Sequence, residues 1–270
     1  YEGQATGFRS AWPVKVSVTV DETSITDIEV TDTGDTVGIV DSAIELTVPR
    51  ILENQSVAVD AVSGATVSSN AIKEAVKQAL TQALEAGGSD PAAIAAFQTA
   101  PAKSDAVETI ETDVLVVGMG AAGTTAALSA AETMYEADPD SVSVLAIDKA
   151  GRYGGASSLC AGVFAVNPPQ LAAEFNGGND WVDKEALLAD WMDYTEGDAK
   201  QEMVELLLDN CGETLDWLVY DYGMELEQPT GGLTEGDSNV VLFSYAPAAE
   251  GMTVRRQHNI AFFDHCIEKY

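Results

Sequence analysis

The sequence predicts a small α+β domain followed by an α/β domain that contains a parallel sheet. Near the amino terminus, valines alternate with polar residues, and a helix of three- and four-residue periodicity follows. Further on, an apolar segment runs into glycines, then into an alanine-rich helix and a second apolar segment, as in a βαβ unit. The predicted ranges are 1–86 for the first domain, 87–110 for a linker and 111–270 for the second domain.

Composition limits the classes of function. With 46% apolar residues, a chain of 270 residues can supply a core for each domain. The net charge of −31 repels nucleic acid, and the scattered acids predict a solvated surface rather than a site. The three cysteines lack paired CxxC spacing, so we expect no structural zinc. No apolar run approaches the roughly 20 residues that span a bilayer.

The first domain combines strands and a helix. Residues 13–20, PVKVSVTV, alternate as a half-buried strand, and residues 24–32, SITDIEVTD, are predicted to be its hairpin partner. Ser68 or Ser69 can cap a helix that ends near Gly87. The apolar residues of this helix are Ile72, Val76, Ala79, Leu80 and Ala83.

The second domain begins after a segment rich in Ala, Pro, Ser and Gly, which has one short helix signal at 91–97. The strands of a parallel βαβ unit are normally buried on both faces, so their sequences are continuously apolar. The predicted segments are 113–120, 121–132 and 142–148 for the βαβ unit, and 184–196 and 200–221 for two later helices.

The glycines after the first strand of this unit have the spacing GxGxxG, directly before a helix. The first glycine permits a tight turn, the second admits a pyrophosphate, and the third allows close packing of helix and strand. An acid at the end of the second strand can bind ribose hydroxyls. The pattern predicts a Rossmann-like dinucleotide site and leaves FAD and NAD open. The predicted contacts are Gly118, Gly120, Ala121, Ala122, Gly123 and Asp148.

The segment DKAGRYGGASSLCAGVFAVN, at 148–167, resembles the flavoprotein family of soluble fumarate reductases and related urocanate and enoate reductases. In that family an acid-Lys pair is followed by two glycines and small residues that line FAD. Here Asp148 stands in place of the more usual Glu, and Cys160 in place of Ser or Ala. The resemblance implies FAD contacts by Asp148, Lys149, Gly154, Gly155, Ala156, Ser157, Ala161 and Gly162.

The same resemblance extends over residues 111–270 and includes an Arg-x-His segment, followed by a helix. For Arg256 and His258 we expect a structural or cofactor-side role. In the resembling reductases, the proton-donating Arg and the substrate-binding groups lie in motifs further downstream. We therefore assign no catalytic residue and expect this chain to be the amino-terminal part of a longer reductase.

The segment VDAVSGATVSSN, at 59–70, would by itself indicate a turn with a helix cap. Together with YEGQATGF at 1–8 and the valine strand, it resembles the FMN-binding domain of Na⁺-translocating quinone reductase and Rnf-type subunits. One departure is DTVGIV, at 35–40, where that family often has Glu-Thr-Pro-Gly-Ile-Gly. The resemblance implies that Thr66 carries FMN through a phosphoester bond that a flavin transferase installs. The implied recognition residues are Asp60, Ser63, Gly64 and Ala65.

The two resemblances together imply a relay from FMN to FAD and then, as hydride, to an activated C=C bond. The expected partners are a small unsaturated substrate, an upstream donor such as a quinol dehydrogenase or a cytochrome-like protein, and the flavin transferase. A non-enzymatic electron carrier, an FAD-linked dehydrogenase or oxidase working in reverse, and an acidic binding protein without flavin stay open. The chain begins at Tyr1 without Met. This start, together with the frequent placement of the resembling family outside the cytoplasm, leads us to expect an extracytoplasmic or cell-envelope location, with the cytoplasm as the alternative.

Overall fold

The computed structural model describes residues 1–103, 106–138, 142–227 and 242–269. The chain divides into two compact units, Tyr1–Gly155 and Ala156–Tyr270. Each unit contains its own cluster of buried apolar residues. In the part of the chain that is described, no helix combines the length and the apolar character needed to cross a bilayer.

The first unit begins with a three-stranded antiparallel sheet in the order β1-β2-β3. The predicted alternation is confirmed, because Val14, Val16 and Val18 are at most 1% exposed. The predicted hairpin is also confirmed, whereas β1 is a strand that the sequence analysis missed. The strands are β1 (Glu2–Ala5), β2 (Val14–Val20) and β3 (Ile25–Asp32).

Two helices, α1 (Ile39–Asn54) and α2 (Thr66–Ala86), complete the core of this sheet. The predicted carboxyl end of α2 is confirmed, since Gly87 is its C-cap. Helix α1 was not predicted, and it contains Pro49, a residue that usually argues against a helix interior.

The predicted start of α2 is wrong. The helix begins at Thr66, with Ala65 rather than a serine at the N-cap. Ser68 and Ser69 are buried inside the first turn. The Ser69 hydroxyl lies 2.9 Å from the Ala65 carbonyl oxygen, to which it donates, and accepts from the Val62 amide at 3.2 Å. Ser69 therefore holds the preceding turn against the helix, the Ser68 hydroxyl donates to Asp35, and neither serine caps the helix.

A 3₁₀ helix, Pro91–Gln98, lies in the segment where a short helix was predicted. Its Ile94 and Phe97 pack on the first core, and the Val57 amide donates to the Phe97 carbonyl at 2.8 Å. Part of the predicted linker thus belongs to the packing of the first domain. The ranges 1–86, 87–110 and 111–270 stay predictions.

The first unit ends with the βαβ segment, formed by β4 (Val114–Val117), α3 (Ala121–Ala137) and β5 (Val144–Ile147). The two strands are parallel, which confirms the predicted arrangement. The expectation that they are buried on both faces is wrong: Leu115 is 54% and Val117 is 73% exposed. The physical reason is that β4 and β5 form a sheet of only two strands among the described residues.

The second unit packs helices around a short antiparallel pair, in which Gly162 lies opposite Ser244. Helices α5 and α6 confirm the two predicted later helices. Helix α7 begins before the Arg-x-His segment, so Arg256 and His258 lie inside this helix rather than ahead of it. The elements are β6 (Gly162–Phe164), α4 (Pro169–Phe175), α5 (Lys184–Tyr194), α6 (Gln201–Tyr220), β7 (Leu242–Ser244) and α7 (Met252–Glu268).

Candidate cofactor-binding sites

The glycine turn joins β4 to α3. Gly118 has a φ of +95°, a conformation that favours glycine, and its amide donates to the Ile147 carbonyl at 2.7 Å. A Cβ at Gly123 would overlap the Gly118 carbonyl oxygen. Helix α3 therefore begins in direct contact with the turn, as the roles predicted for the first and third glycines require.

Gly120 is different, because a Cβ there would meet no atom within 4 Å. It is the N-cap of α3 and offers no side-chain hydrogen bond to the first turn of the helix. Ala121 and Ala122 follow as exposed first residues of α3. The positive end of this helix thus faces open space, which suits the approach of a pyrophosphate.

Asp148 connects the turn to the end of β5. Its Oδ1 accepts from the Ala150 amide at 2.7 Å, and its Oδ2 accepts from the Met119 amide at 2.6 Å. The hydrogen bond from Ala150, and then that from Met119, lower the pKa of this carboxyl. Each oxygen retains a lone pair that can accept a hydrogen bond from a ribose hydroxyl. Asp148 therefore has a structural role that the sequence analysis did not assign, beside its predicted ribose contact.

The first of the two predicted flavin loops lies on this turn. The Gly154 amide donates to the Met119 carbonyl at 2.5 Å, and a Cβ at Gly155 would lie 3.3 Å from the Gly120 Cα. Lys149 is exposed beside them. The structure thus brings together the turn, Asp148 and the two glycines, an arrangement that fits the pyrophosphate and ribose of FAD.

The other predicted FAD residues begin the second unit. Ala156 is exposed and Ser157 half-buried, within a 3₁₀ helix, Gly155–Leu159. Ala161 is also half-buried, and Gly162 begins β6, where a Cβ would overlap the Phe243 carbonyl oxygen. Gly162 therefore has a packing role whether or not it contacts a cofactor.

Side chains of α7 hold the backbone of this second loop. The Asn259 amide group donates to the Ser157 carbonyl at 2.6 Å, and the Arg256 Nε donates to the Leu159 carbonyl at 3.0 Å. The His258 Nδ1 instead lies 3.5 Å from the Glu225 Oε2. The position of Arg256 agrees with the structural role expected for it, and Asn259 is a further positioning residue that the sequence analysis missed.

The second candidate site surrounds Thr66, which is exposed at the start of α2. Its neighbours Ser63 and Gly64 are also exposed, and Ala65 is buried as the N-cap. Alanine is a poor N-cap because it offers no oxygen to the first amides of the helix. An exposed hydroxyl therefore lies at an uncapped helix N-terminus, which fits a phosphoester carrying residual negative charge.

A cleft of about 250 Å³ adjoins Thr66. Phe8, which is 68% exposed, and Ile39 give it apolar surface suited to a flavin ring. Ile39 belongs to the DTVGIV stretch, so this departure from the family pattern still lies beside the attachment residue. The lining residues are Phe8, Thr36, Ile39, Gly64, Ala65, Thr66, Val67 and Ser68.

Asp35, which the sequence analysis did not single out, joins two of the segments that line this cleft. It is 6% exposed, accepts from the Ser68 hydroxyl at 2.6 Å, and accepts from the Arg9 amide at 2.9 Å. Burial raises the pKa of this carboxyl, but the bonds from Ser68 and Arg9 outweigh it and the pKa lies below its usual value. The carboxylate thus ties the segment bearing Phe8 to the first turn of α2.

We expect Asp35→Asn to destabilise the first domain by about 1–3 kcal/mol at pH 7, because one buried donor loses its acceptor. The folded-state pKa of Asp35 is lowered. Its contribution is therefore complete above the unfolded pKa of about 3.9 and is lost as pH falls through the folded pKa. Urea unfolding of the two proteins at pH 7 and near pH 3 measures this difference.

The matched control is Asp27→Asn, which neutralises an exposed acid on β3. It should leave the unfolding free energy nearly unchanged at both pH values. An equal loss in both variants, or a loss for Asp35→Asn that does not shrink in acid, would contradict the role given to the Asp35 carboxylate.

Two domain families match parts of the chain. The FMN-binding domain family matches residues 7–81, and the FAD binding domain family matches residues 113–258. Among solved structures, the chain is similar to the open conformation of a flavocytochrome c3 fumarate reductase, with 23% identity and a TM-score of 0.43. That likeness covers 58% of this chain and 25% of the other, so the chain spans about a quarter of that protein's length. No curated protein matches.

The FAD binding match covers more than half of the 270 residues. The two matches confirm the predicted order of an α+β FMN-binding domain and a Rossmann-like FAD-binding domain, and they indicate FMN and FAD as cofactors. The chain is thus a flavoprotein that belongs to the FAD binding domain family and carries an FMN-binding domain ahead of its FAD-binding domain.

Proposed function

We propose that this chain is the cofactor-carrying part of a flavin-dependent oxidoreductase of the fumarate reductase and succinate dehydrogenase flavoprotein type. When bound, the flavins would supply the redox chemistry, with FMN as the entry point for electrons and FAD as the hydride donor to an activated C=C bond, which also takes up one proton. The observation that carries the proposal is that one polypeptide holds both an exposed Thr66 at an uncapped helix end and a glycine turn with open space at Gly120.

The first domain, in this proposal, holds FMN covalently. Thr66 supplies the ester oxygen, and its exposure admits the active site of a flavin transferase. The N-terminus of α2 offsets the negative charge that remains on the phosphate. Phe8 and Ile39 offer apolar surface to the ring, while Asp35 keeps the segment bearing Phe8 in place.

The second domain holds FAD without a covalent bond. The backbone at Gly120 admits the pyrophosphate, and the N-terminus of α3 stabilises its charge. Asp148 orients the ribose through its hydroxyls while it ties Met119 to Ala150. The Gly154 amide donates to the Met119 carbonyl, so the Gly154–Gly155 segment lies against the same turn.

The proposed acceptor is a small unsaturated molecule, of the fumarate, urocanate or enoate class. The proposed electron source is a separate quinol dehydrogenase or cytochrome-like donor. Both follow from the resemblance of residues 148–167 to that reductase family, as does the proposed place outside the cytoplasm. Cell fractionation that finds the protein only in the cytoplasm would contradict the proposed location.

The test uses the full natural gene product, expressed together with a flavin transferase. Its flavins are reduced under anaerobic conditions, and fumarate, urocanate or cinnamate is added while flavin absorbance is followed. We expect reoxidation with one saturated product formed for each hydride delivered. Flavins that react only with another electron carrier would favour a carrier protein instead. If the saturated acid reduces the flavins, and the reduced flavins do not react with the unsaturated acid, a dehydrogenase would be favoured instead.

A further inference from the structure

The loop that follows β5 lies against the FMN-binding domain. A Cβ at Gly151 would lie 2.7 Å from the Val62 Cγ1 and 2.8 Å from the Leu46 Cδ1. Gly151 does not have a positive φ, so its backbone conformation does not require glycine. A close approach explains the residue instead. Its two neighbours come from α1 and from the turn just before Thr66.

Two further contacts flank this approach. A Cβ at Gly64 would lie 3.7 Å from the Ala150 Cβ, and the Arg152 Nη2 lies 3.5 Å from the Glu45 Oε1. The surface therefore has a small-residue and apolar centre with an ion pair at its rim, the usual anatomy of a docked interface.

Steric fit, rather than charge, decides the strength of this contact. The Glu45 side chain is 59% exposed, and exposed ion pairs contribute little. Val62 is 2% exposed and belongs to the core of the first domain, so it cannot move aside freely. A side chain at residue 151 would therefore have to move Val62 and Leu46 or shift the loop away from the first domain, and the buried Val62 resists the first of these.

We propose that residues 150–152 form a docking surface for the FMN-binding domain, with Gly151 as the positioning residue. Gly64 lies two residues before Thr66, and Ala150 lies two residues after Asp148. Docking therefore holds the attachment loop of one flavin against the ribose loop of the other. The functional part of this inference rests on the proposed relay. In that relay, the contact replaces the diffusive search of a tethered domain with a fixed arrangement of electron donor and acceptor.

A disulfide tests the docking itself, in the full chain and without any redox assay. The distance from the Gly64 Cβ position to the Ala150 Cβ lies within the range of about 3.5–4.5 Å that a disulfide requires. We expect Gly64→Cys with Ala150→Cys to form a 64–150 bond under mild oxidation, identified by peptide mass mapping. The free native cysteines, Cys160, Cys211 and Cys266, give distinguishable peptides.

The matched control is Gly88→Cys with Ala150→Cys. Gly88, like Gly64, has a positive φ, so the backbone cost of the cysteine is similar, but a Cβ there meets no atom within 4 Å. We expect no bond in this pair. Equal cross-linking of the two pairs, or none at residues 64 and 150, would overturn the docking.

A second experiment tests the function of Gly151 in the flavin-loaded protein. Overpacking by Gly151→Val should slow electron transfer from FMN to FAD roughly tenfold, with both flavin contents unchanged. Adding Val62→Ala removes the opposing methyl groups and should restore the rate. A rate that Gly151→Val leaves unchanged, or that Val62→Ala fails to restore, would overturn the positioning role.

The two experiments separate this inference from the proposed function. A 64–150 bond in a protein that passes no electrons between its flavins would leave the docking intact and refute the relay. Rapid transfer without that bond, and without sensitivity at Gly151, would leave the relay intact and refute the docking.

Discussion

Thr66→Ala is expected to abolish covalent flavin in protein that is expressed together with a flavin transferase. The substitution removes the only atom at this position that could form the phosphoester. Alanine is a good helix former, so α2 should persist. The measurement is the mass of the denatured protein after free flavin has been removed. We expect the FMN adduct in the unmodified sequence and none in the variant.

Thr81→Ala is the matched control, because it makes the same change in the same helix. The Thr81 hydroxyl bonds to the Lys77 carbonyl within the helix, and the residue does not line the cleft beside Thr66. This variant should retain the full adduct. An FMN adduct that persists in Thr66→Ala would place the attachment at another residue.

Gly120→Val is expected to abolish FAD binding without unfolding the domain. The valine Cβ would meet no protein atom within 4 Å and would instead occupy the space open to the pyrophosphate. The change at the N-cap itself costs about 0.5–2 kcal/mol. FAD stoichiometry after gel filtration and the thermal unfolding midpoint together measure the two effects. Covalent FMN should be unaffected.

Gly123→Val provides the contrast within the same motif. A Cβ there would overlap the Gly118 carbonyl oxygen, so the first turn of α3 must move. We expect loss of FAD together with destabilisation of about 1–3 kcal/mol or more. The assignment of Gly120 to the cofactor and of Gly123 to packing would be contradicted if the two variants lost stability equally, or if Gly120→Val bound FAD normally.

Local patterns were sufficient to predict much of this molecule. The valine alternation predicted β2, and the glycine spacing between two apolar segments predicted the parallel pair β4 and β5 with its turn. The segment at 59–70 and its resemblance pointed to Thr66, which the structure places in an exposed position at a helix start. These signals are readable because each consists of residues that are adjacent in the chain, with spacing fixed by backbone geometry.

Other features depend on contacts between distant residues. Asp35 meets Ser68 across 33 positions, and this bond forms only when α2 packs against the segment before α1. The first residue of α2 was misplaced because Ser68 and Ser69 have cap-forming side chains, but tertiary partners hold both inside the helix. Helix α1 was missed because Pro49 disfavours a helix locally, whereas packing against α2 stabilises it.

From consecutive residues, the sequence predicted the dinucleotide turn and the order of the two domains, because the spacing within a phosphate-binding turn is local, and its resemblance to two flavoprotein families implied FMN and FAD as the cofactors. Only the tertiary structure decided which residues support the two sites, since Asp35 and Ser68, or Asn259 and Ser157, lie far apart in the chain. It also decided that Gly151 is a point of close approach, because its neighbours Val62 and Leu46 lie far away in the chain. A side chain's surroundings, unlike its spacing, exist only after folding.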